Sequence, residues 1–229
     1  MENKTLSLQQ RLKHIVEESY QILCQQICCG KFTVYNEASL QLQFSVILKS
    51  IGQLYEFSRD DHFDIELEEN IKLKENTSKS QKGKARCDIC IMIYKGMRRP
   101  TYQDESLNTN IEYAKCDIEL KCFKAKEGET ITDNRFAILE DMENLEHYKQ
   151  QDTNIIGYEI VYTDNKTYPS PNSRSKIKIG EGHRCQGTIT YNSHTVNIQQ
   201  EYTFHWDKYS GIDVGNSNEK DHYFLKVQI

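Results

Sequence analysis

The segment Lys115–Phe123, KCDIELKCF, alternates apolar and charged residues with the two-residue period of a β-strand. One face of such a strand carries the apolar set Cys116, Ile118, Leu120 and Cys122. The other face carries Asp117, Glu119 and Lys121. The apolar face predicts contact with a hydrophobic core. The charged face is either a solvated edge or part of an active site, because it brings carboxylates and an ammonium group together.

Composition limits the classes of protein to which the chain can belong. Its 229 residues are enough for one large domain with its own core, and we expect a single domain over residues 1–229. The formal net charge of −5 argues against a protein that coats nucleic acid by bulk charge, but it permits a local basic patch. No apolar run approaches the roughly 18 residues of a membrane span. The start MENKTLSLQQ lacks the order of a signal peptide, so we expect a cytoplasmic protein without a membrane partner.

Apolar periodicity predicts three helices. The first covers residues 7–29, with a capping box formed by Ser7 and Gln10. The second begins after Asn36 and carries Glu37 in its first turn, where the helix dipole favours a carboxylate. The third covers residues 133–149 and is capped by Asp133.

Strand patterns surround the third helix. RCDICIMIY and NIEYAKCDIELKCF predict an antiparallel pair, and NIIGYEIVYTD predicts a buried strand after the helix. Further β patterns follow in GTITY, TVNIQQEYTFHW and HYFLKVQI. The segment DDHFDIELEEN is interpreted as an acidic connection, and KLKENTSKSQKGKAR is interpreted as a loop. Together these patterns predict an α/β fold with a central mixed sheet flanked by helices, plus additional C-terminal strands.

The two paired strands carry the candidate catalytic residues. Asp88 lies on the first strand, and Glu119 and Lys121 lie on the second. If the strands are neighbours, the two carboxylates can approach a common point with the lysine on the same face. Two carboxylates and a substrate phosphate suffice for a Mg²⁺ site, and a lysine beside them can orient or deprotonate the attacking water or stabilise phosphate charge. Glu37 can supply a further carboxylate from its helix.

This arrangement resembles the PD-(D/E)xK nuclease superfamily, which has a restriction-endonuclease-like core. The resemblance depends on Glu37 in NEASLQ, Asp88 in RCDI, and Glu119 to Lys121 in IELKCF, followed by a helix and the strand GYEIVYTD. It covers residues 36–164, which leaves an N-terminal helix at 7–29 and a C-terminal β extension at 165–229. The chain departs from the pattern at Cys87, where the family often has proline.

The resemblance implies a metal-dependent endodeoxyribonuclease, most like a type II restriction enzyme or a related defence nuclease. Asp88 and Glu119 would bind Mg²⁺, with Mn²⁺ as a substitute, Lys121 would position the attacking water, and Glu37 would assist. DNA is then the expected substrate, and a restriction–modification system would add a cognate methyltransferase. A palindromic target would favour a homodimer.

Basic residues on both sides of the predicted site are candidates for contacts with DNA phosphates. The alternative is a merely solvated loop. The candidates are Lys79, Lys82, Lys84, Arg86, Arg98 and Arg99.

Other functions remain open at this point. A nuclease of the same core could act on RNA or in DNA repair, and a non-catalytic module could keep the fold as a scaffold for binding. Cys87 and Cys90 have the spacing of half a zinc site, with Cys116 and Cys122 on the next strand. In a regular strand, however, Cys87 and Cys90 point to opposite faces. We therefore expect the eight cysteines to be free thiols that fill the core.

Overall fold

The computed structural model describes residues 6–72, 84–96, 99–100, 112–124, 130–172, 174–212 and 219–229. Within these ranges no helix has the length and hydropathy that crossing a membrane requires. The helices are α1 (Leu8–Cys28), α2 (Glu37–Gln53) and α3 (Ile131–Gln151). The strands are β1 (Asp61–Lys72), β2 (Lys84–Lys95), β3 (Tyr113–Phe123), β4 (Ile155–Thr163), β5 (Arg184–Tyr191), β6 (His194–Thr203), β7 (Trp206–Ile212) and β8 (Glu219–Gln228).

Local sequence signals set the starts of the first two helices. The Ser7 hydroxyl accepts the Gln10 N–H at 3.2 Å, and the Gln10 side chain accepts the Ser7 N–H at 2.9 Å, which confirms the predicted capping box. The Asn36 side chain accepts the Ser39 N–H at 2.9 Å, as the predicted cap of α2 should. Helix α3 begins earlier than predicted, at Ile131, so Asp133 lies in its first turn instead of at the cap.

Six strands form one mixed sheet in the order β1-β2-β3-β4-β8-β7. Strands β1, β2 and β3 are antiparallel neighbours, whereas β4 runs parallel to β3. A parallel pair needs a long crossover connection, and α3 lies in that connection. Strands β5 and β6 form a separate antiparallel pair. The predicted α/β fold, with a mixed sheet flanked by helices and additional C-terminal strands, is confirmed.

Strand β1 corrects the interpretation of DDHFDIELEEN as a connection. The segment pairs with β2 from Asp61↔Lys95 to Lys72↔Lys84 and forms one edge of the sheet. Its acidic residues hide the apolar alternation of Phe63, Ile65 and Leu67, which shows the two-residue period of a strand.

Helices cover both faces of the sheet. Residues of α1 and α2 share one core cluster with Ile89, Ile91, Ile118 and Leu120. Residues of α3 share the other cluster with Cys87 and Val161. Strands β3 and β4 are consequently buried on both faces, and Asp117, Glu119 and Lys121 are buried too. The charged face of KCDIELKCF is therefore not a solvated edge.

Close packing explains Gly52 near the end of α2. A Cβ atom at this position would lie 2.3–2.4 Å from three ring carbons of the buried Phe63. We expect Gly52→Ala to lower the free energy of unfolding by about 1–3 kcal/mol, because the core is already filled. Denaturant titration measures the change. Gln53→Ala, an exposed substitution in the same turn, should change the stability by less than about 0.5 kcal/mol. An unchanged or increased stability of the Gly52→Ala protein would contradict this packing.

The last two strands, β7 and β8, are part of the main sheet. Strand β8 lies between β4 and β7, and the Ile229 N–H donates to the Gly157 carbonyl at 2.9 Å. The predicted single run TVNIQQEYTFHW is divided at Phe204 and His205, where the chain leaves β6 and enters β7 in the other sheet.

Helix α1 is joined to the C-terminal strands by polar contacts across almost the whole sequence. The buried Tyr20 hydroxyl donates to Asp207 on β7 at 2.9 Å. Glu17 forms an ion pair with Lys226 on β8. These contacts fix α1 over the β7–β8 side of the sheet.

Candidate active site

The candidate site begins where β2 separates from β3. The two strands pair from Tyr94↔Tyr113 to Ile89↔Ile118. Beyond that pair, the Leu120 N–H donates to Asp88 Oδ2 at 2.8 Å. The Asp88 carboxylate therefore takes the place of a backbone carbonyl as the acceptor for Leu120, the residue between Glu119 and Lys121. Burial raises the pKa of Asp88, against the opposing effects of Lys121 and the Leu120 N–H.

Irregular pairing of β1 with β2 accompanies this separation. Glu68 on β1 has φ 57°, in the left-handed region, and the register omits the pair between Glu68 and Asp88. Gln41 on α2 bridges the irregularity, since its side-chain amide donates to the Asp88 carbonyl at 2.7 Å and to Glu68 Oε1 at 2.9 Å. Helix α2 thus holds the backbone on which Asp88 lies.

Lys121 occupies a buried position surrounded by acceptors. Its Nζ lies 2.6 Å from Asp141 Oδ2 on α3 and donates to the Leu120 carbonyl at 2.8 Å. Burial alone would lower the pKa of this ammonium group. Three carboxylates outweigh burial and raise the pKa well above the ordinary lysine value, in decreasing order those of Asp141, Glu159 and Glu37.

Glu37 approaches the same ammonium group from the start of α2. Its Oε2 lies 3.6 Å from Lys121 Nζ, and its side chain is 45% exposed. The structure thus brings Glu37, Asp88 and Lys121 to one place, with Glu119 on the adjoining part of β3. Glu37 is the most open of these groups, whereas Glu119 is buried under α3.

Three residues without a role in the sequence analysis also face the site. Asp141 and Tyr148 are seven residues apart on α3, so they lie on the same face about two turns from each other. Glu159 is the register partner of Glu119 on β4. Burial, followed by the charge of Glu119, raises the pKa of Tyr148. A signal for Glu159 was present in the sequence, because a carboxylate inside the apolar run IIGYEIVY is seldom buried without a specific reason.

The donor set is compatible with a hard divalent cation. Asp88, Glu119 and Glu37 offer only oxygen ligands, which suit Mg²⁺ and Mn²⁺. The buried Tyr148 hydroxyl makes no hydrogen bond to any residue that the structure describes. Ordered water satisfies buried hydroxyls of this kind, and Mg²⁺ keeps several waters in protein sites. Asp88, Glu119 and Glu37 do not form a group of three ligand atoms within 4.8 Å of one another, so the fit to Mg²⁺ is one of donor chemistry and not of a closed set of three ligands.

A second polar cluster lies farther back on the same face of β3. Ligand atoms of Glu69, Cys90 and Asp117 lie within 4.8 Å of one another. Lys115 Nζ lies 3.0 Å from Glu69 and 3.4 Å from Asp117, so an ammonium group already supplies the cation that these carboxylates need. Burial opposes the charge on Lys115, but Asp117 and its neighbours raise its pKa above the ordinary value. Lys115 neutralises part of the negative charge of the two carboxylates, and the third member of the group is a thiol, which suits a hard cation such as Mg²⁺ less well than oxygen does.

The cysteine pattern differs from the regular strand assumed in the sequence analysis. Cys87 belongs to the core cluster under α3, and the Cys90 sulfur lies within 4.8 Å of an Asp117 oxygen on the same side of the sheet. The two thiols therefore share one face of β2, because the pairing at Asp88 is irregular. Cys116 belongs to the core cluster under α1 and α2, on the opposite face. Cys122 also packs against that cluster. The four thiols therefore do not converge on one zinc ion.

The basic residues predicted to contact DNA are only partly described. Lys79, Lys82 and Arg98 lie outside the described ranges, and for Lys84 the structure gives its place at the start of β2. Arg86 is exposed two positions before Asp88 and pairs with Glu68 at 2.6 Å. Arg99 pairs with Glu66, on the side of the Lys115 network. Of the residues in this set with described side chains, Arg86 is the one that borders the candidate site.

No family model, curated protein or solved structure matches this chain. The similarity to the PD-(D/E)xK nucleases therefore depends on the residues and geometry described above.

Proposed function

We propose that this chain is a metal-dependent endodeoxyribonuclease with a restriction-endonuclease-like core. The observation that carries the proposal is Asp88 at the separation of β2 and β3, directly beside the segment from Glu119 to Lys121. The observed order α2, β1, β2, β3, α3, β4 contains the order of helices and strands on which the resemblance to the PD-(D/E)xK superfamily depends, with β1 as an additional strand.

Asp88 and Glu119 are the residues that would hold Mg²⁺, with Mn²⁺ as a substitute. The bound cation would supply Lewis acidity and lower the pKa of a coordinated water. Asp88 is already oriented for this role by the Leu120 N–H, which also limits the rotation of its carboxylate. Burial disfavours the charged form of Asp88 and so raises its pKa. A bound cation would offset this cost by pairing with the carboxylate.

Lys121 would act as a fixed positive charge. The ion pair with Asp141 at 2.6 Å favours the protonated ammonium form, so in this proposal Lys121 acts as a cation and not as the base that removes a proton from water. A protonated lysine can donate to the attacking water or to a phosphate oxygen and stabilise the charge that develops in the transition state. Glu37, with its half-exposed carboxylate, can accept a hydrogen bond from the attacking water.

A nuclease of the same core that acts on RNA remains the main alternative, because the phosphodiester chemistry is shared. A non-catalytic scaffold is less consistent with the site. Burying Glu119 and Lys121 and partly burying Asp88 costs free energy, and a scaffold has no chemical reason to keep these groups together.

Incubation of the purified chain with supercoiled plasmid and mixed phage DNA tests the proposal. We expect open-circular or linear products with Mg²⁺ or Mn²⁺, and intact DNA in excess chelator. A structured RNA in parallel reactions separates the two nuclease functions, and mock-purified extract controls for contaminating enzymes. Undiminished cleavage in chelator would contradict the metal mechanism, and intact DNA with both cations would contradict DNA as the substrate.

A further inference from the structure

Among the carboxylates that the structure describes, Asp141 is the closest to the proposed catalytic lysine. It is fully buried on α3, and its Oδ2 lies 2.6 Å from Lys121 Nζ. Glu37 lies farther from the ammonium group, at 3.6 Å, and its side chain is 45% exposed. Solvent competes with the contact to Glu37 but not with the contact to Asp141. The position of the ammonium group is therefore set mainly from α3.

Helix α3 is a rigid support for this contact. Met142, directly after Asp141, and Leu145, one turn later, are fully buried in the core cluster on this face of the sheet. The Leu120 carbonyl adds a second acceptor from β3, at 2.8 Å. An ammonium group on a flexible four-carbon stem is thereby held by one contact from α3 and one from β3.

We propose that Asp141 is a positioning residue, which holds the Lys121 ammonium group where the proposed nuclease needs it. The inference depends on the proposed function, because Lys121 has a catalytic role only if the chain cleaves phosphodiester bonds. Asp141 contributes through Lys121 and has no separate contact with the substrate. Without it, the ammonium group turns toward Glu37 and the solvent, and a displacement of about 1 Å can cost on the order of 10²-fold in rate.

The test measures single-turnover cleavage at saturating DNA, with DNA affinity determined separately. We expect Asp141→Asn to reduce the cleavage rate by about 10- to 100-fold with little change in affinity. Asp141→Glu keeps the charge but moves it by one methylene, so it should recover part of the rate. Asp61→Asn is the matched control, because it removes the carboxylate of another buried ion pair, with Arg11 at 2.7 Å, at the far end of β1 and β2. It should cleave like the wild type.

A double-mutant cycle separates positioning from a general structural effect. If Asp141 acts through Lys121, Asp141→Asn should cause no further loss in a Lys121→Ala protein. A wild-type rate for Asp141→Asn, or the same fold-loss in both backgrounds, would overturn the proposal. If Asp141→Asn does not fold, Asp141→Glu takes its place, and a wild-type rate for that variant would overturn the proposal equally.

Unfolding supplies a measurement that does not need cleavage. The stabilities of Lys121→Met, Asp141→Asn and the double variant should be non-additive, because the single variants each leave one buried charge behind. Additive changes would show that the two residues do not form a pair and would overturn the proposal while cleavage by the wild type persists. If the wild type does not cleave nucleic acid but the stabilities are non-additive, the ion pair exists and the nuclease function is wrong. Asp141 would then have no catalytic group to position.

Discussion

Lys121→Ala should reduce the single-turnover rate of DNA cleavage by about 10²-fold or more and leave DNA affinity nearly unchanged. The ammonium group is a preorganised donor whose attraction to phosphate charge increases as the transition state forms. Its buried contacts with Asp141 and the Leu120 carbonyl mean that no solvent rearrangement is needed at that step. Removing the group therefore affects the chemical step more than binding.

The same substitution should also lower stability. Lys121→Ala leaves Asp141 buried without its ammonium partner, and breaking a buried ion pair in this way costs about 3–5 kcal/mol. Circular dichroism and thermal unfolding must therefore accompany the rate measurement.

Lys115→Ala is a matched control, because Lys115 is buried on the same face of β3 and pairs with Glu69 and Asp117. It should lose comparable stability but keep the cleavage rate. Equal rates for wild type and a folded Lys121→Ala protein would make the nuclease proposal untenable.

Asp88→Ala and Glu119→Ala should each abolish cleavage through the loss of bound metal. Titration calorimetry with Mn²⁺ should show binding to the wild type and a greatly reduced affinity in both variants, since each loses a hard oxygen ligand. Raising the metal concentration should restore part of the cleavage in these variants but none in Lys121→Ala. The contrast separates metal binding from charge stabilisation.

Asp117→Asn provides the control for metal binding. Asp117 lies on the same face of β3 as Glu119 but belongs to the Lys115 network, so this variant should bind Mn²⁺ like the wild type. If Asp117→Asn lost metal while Asp88→Ala retained it, the cation would belong to the cluster of Glu69, Cys90 and Asp117 and the assignment to Asp88 and Glu119 would fail.

Sequence patterns predicted the local parts of the fold well. The capping residues Ser7 and Asn36, the antiparallel β2–β3 pair and the buried β4 all depend on contacts between near neighbours or on simple periodicity. Strand β1 was missed because its charged residues suggested a connection. The position of β8 between β4 and β7 could not be predicted, because strand order is determined by pairing between distant segments.

The residues of the candidate site could likewise be predicted only in part. Glu37, Asp88, Glu119 and Lys121 could be selected because the family resemblance supplied their spacing. Asp141 could not be selected, because its contact with Lys121 joins a helix to a strand and has no signature in either segment. The sequence also left open whether the charged face of β3 is solvated, and the position of α3 decides that it is buried.

The contacts between α1 and the C-terminal strands affect how the chain folds. Tyr20 and Asp207 are separated by 187 positions, and Glu17 and Lys226 by 209. Contacts of such high sequence separation form only after a large loss of chain entropy, which slows folding and makes the participating elements cooperative. Amide hydrogens of α1 and β8 should therefore exchange with solvent in one shared opening event. The elements that carry the candidate site, from α2 to β4, lie between α1 and these C-terminal strands in the sequence. The stable packing of these elements therefore depends on long-range contacts between residues that take no part in the chemistry.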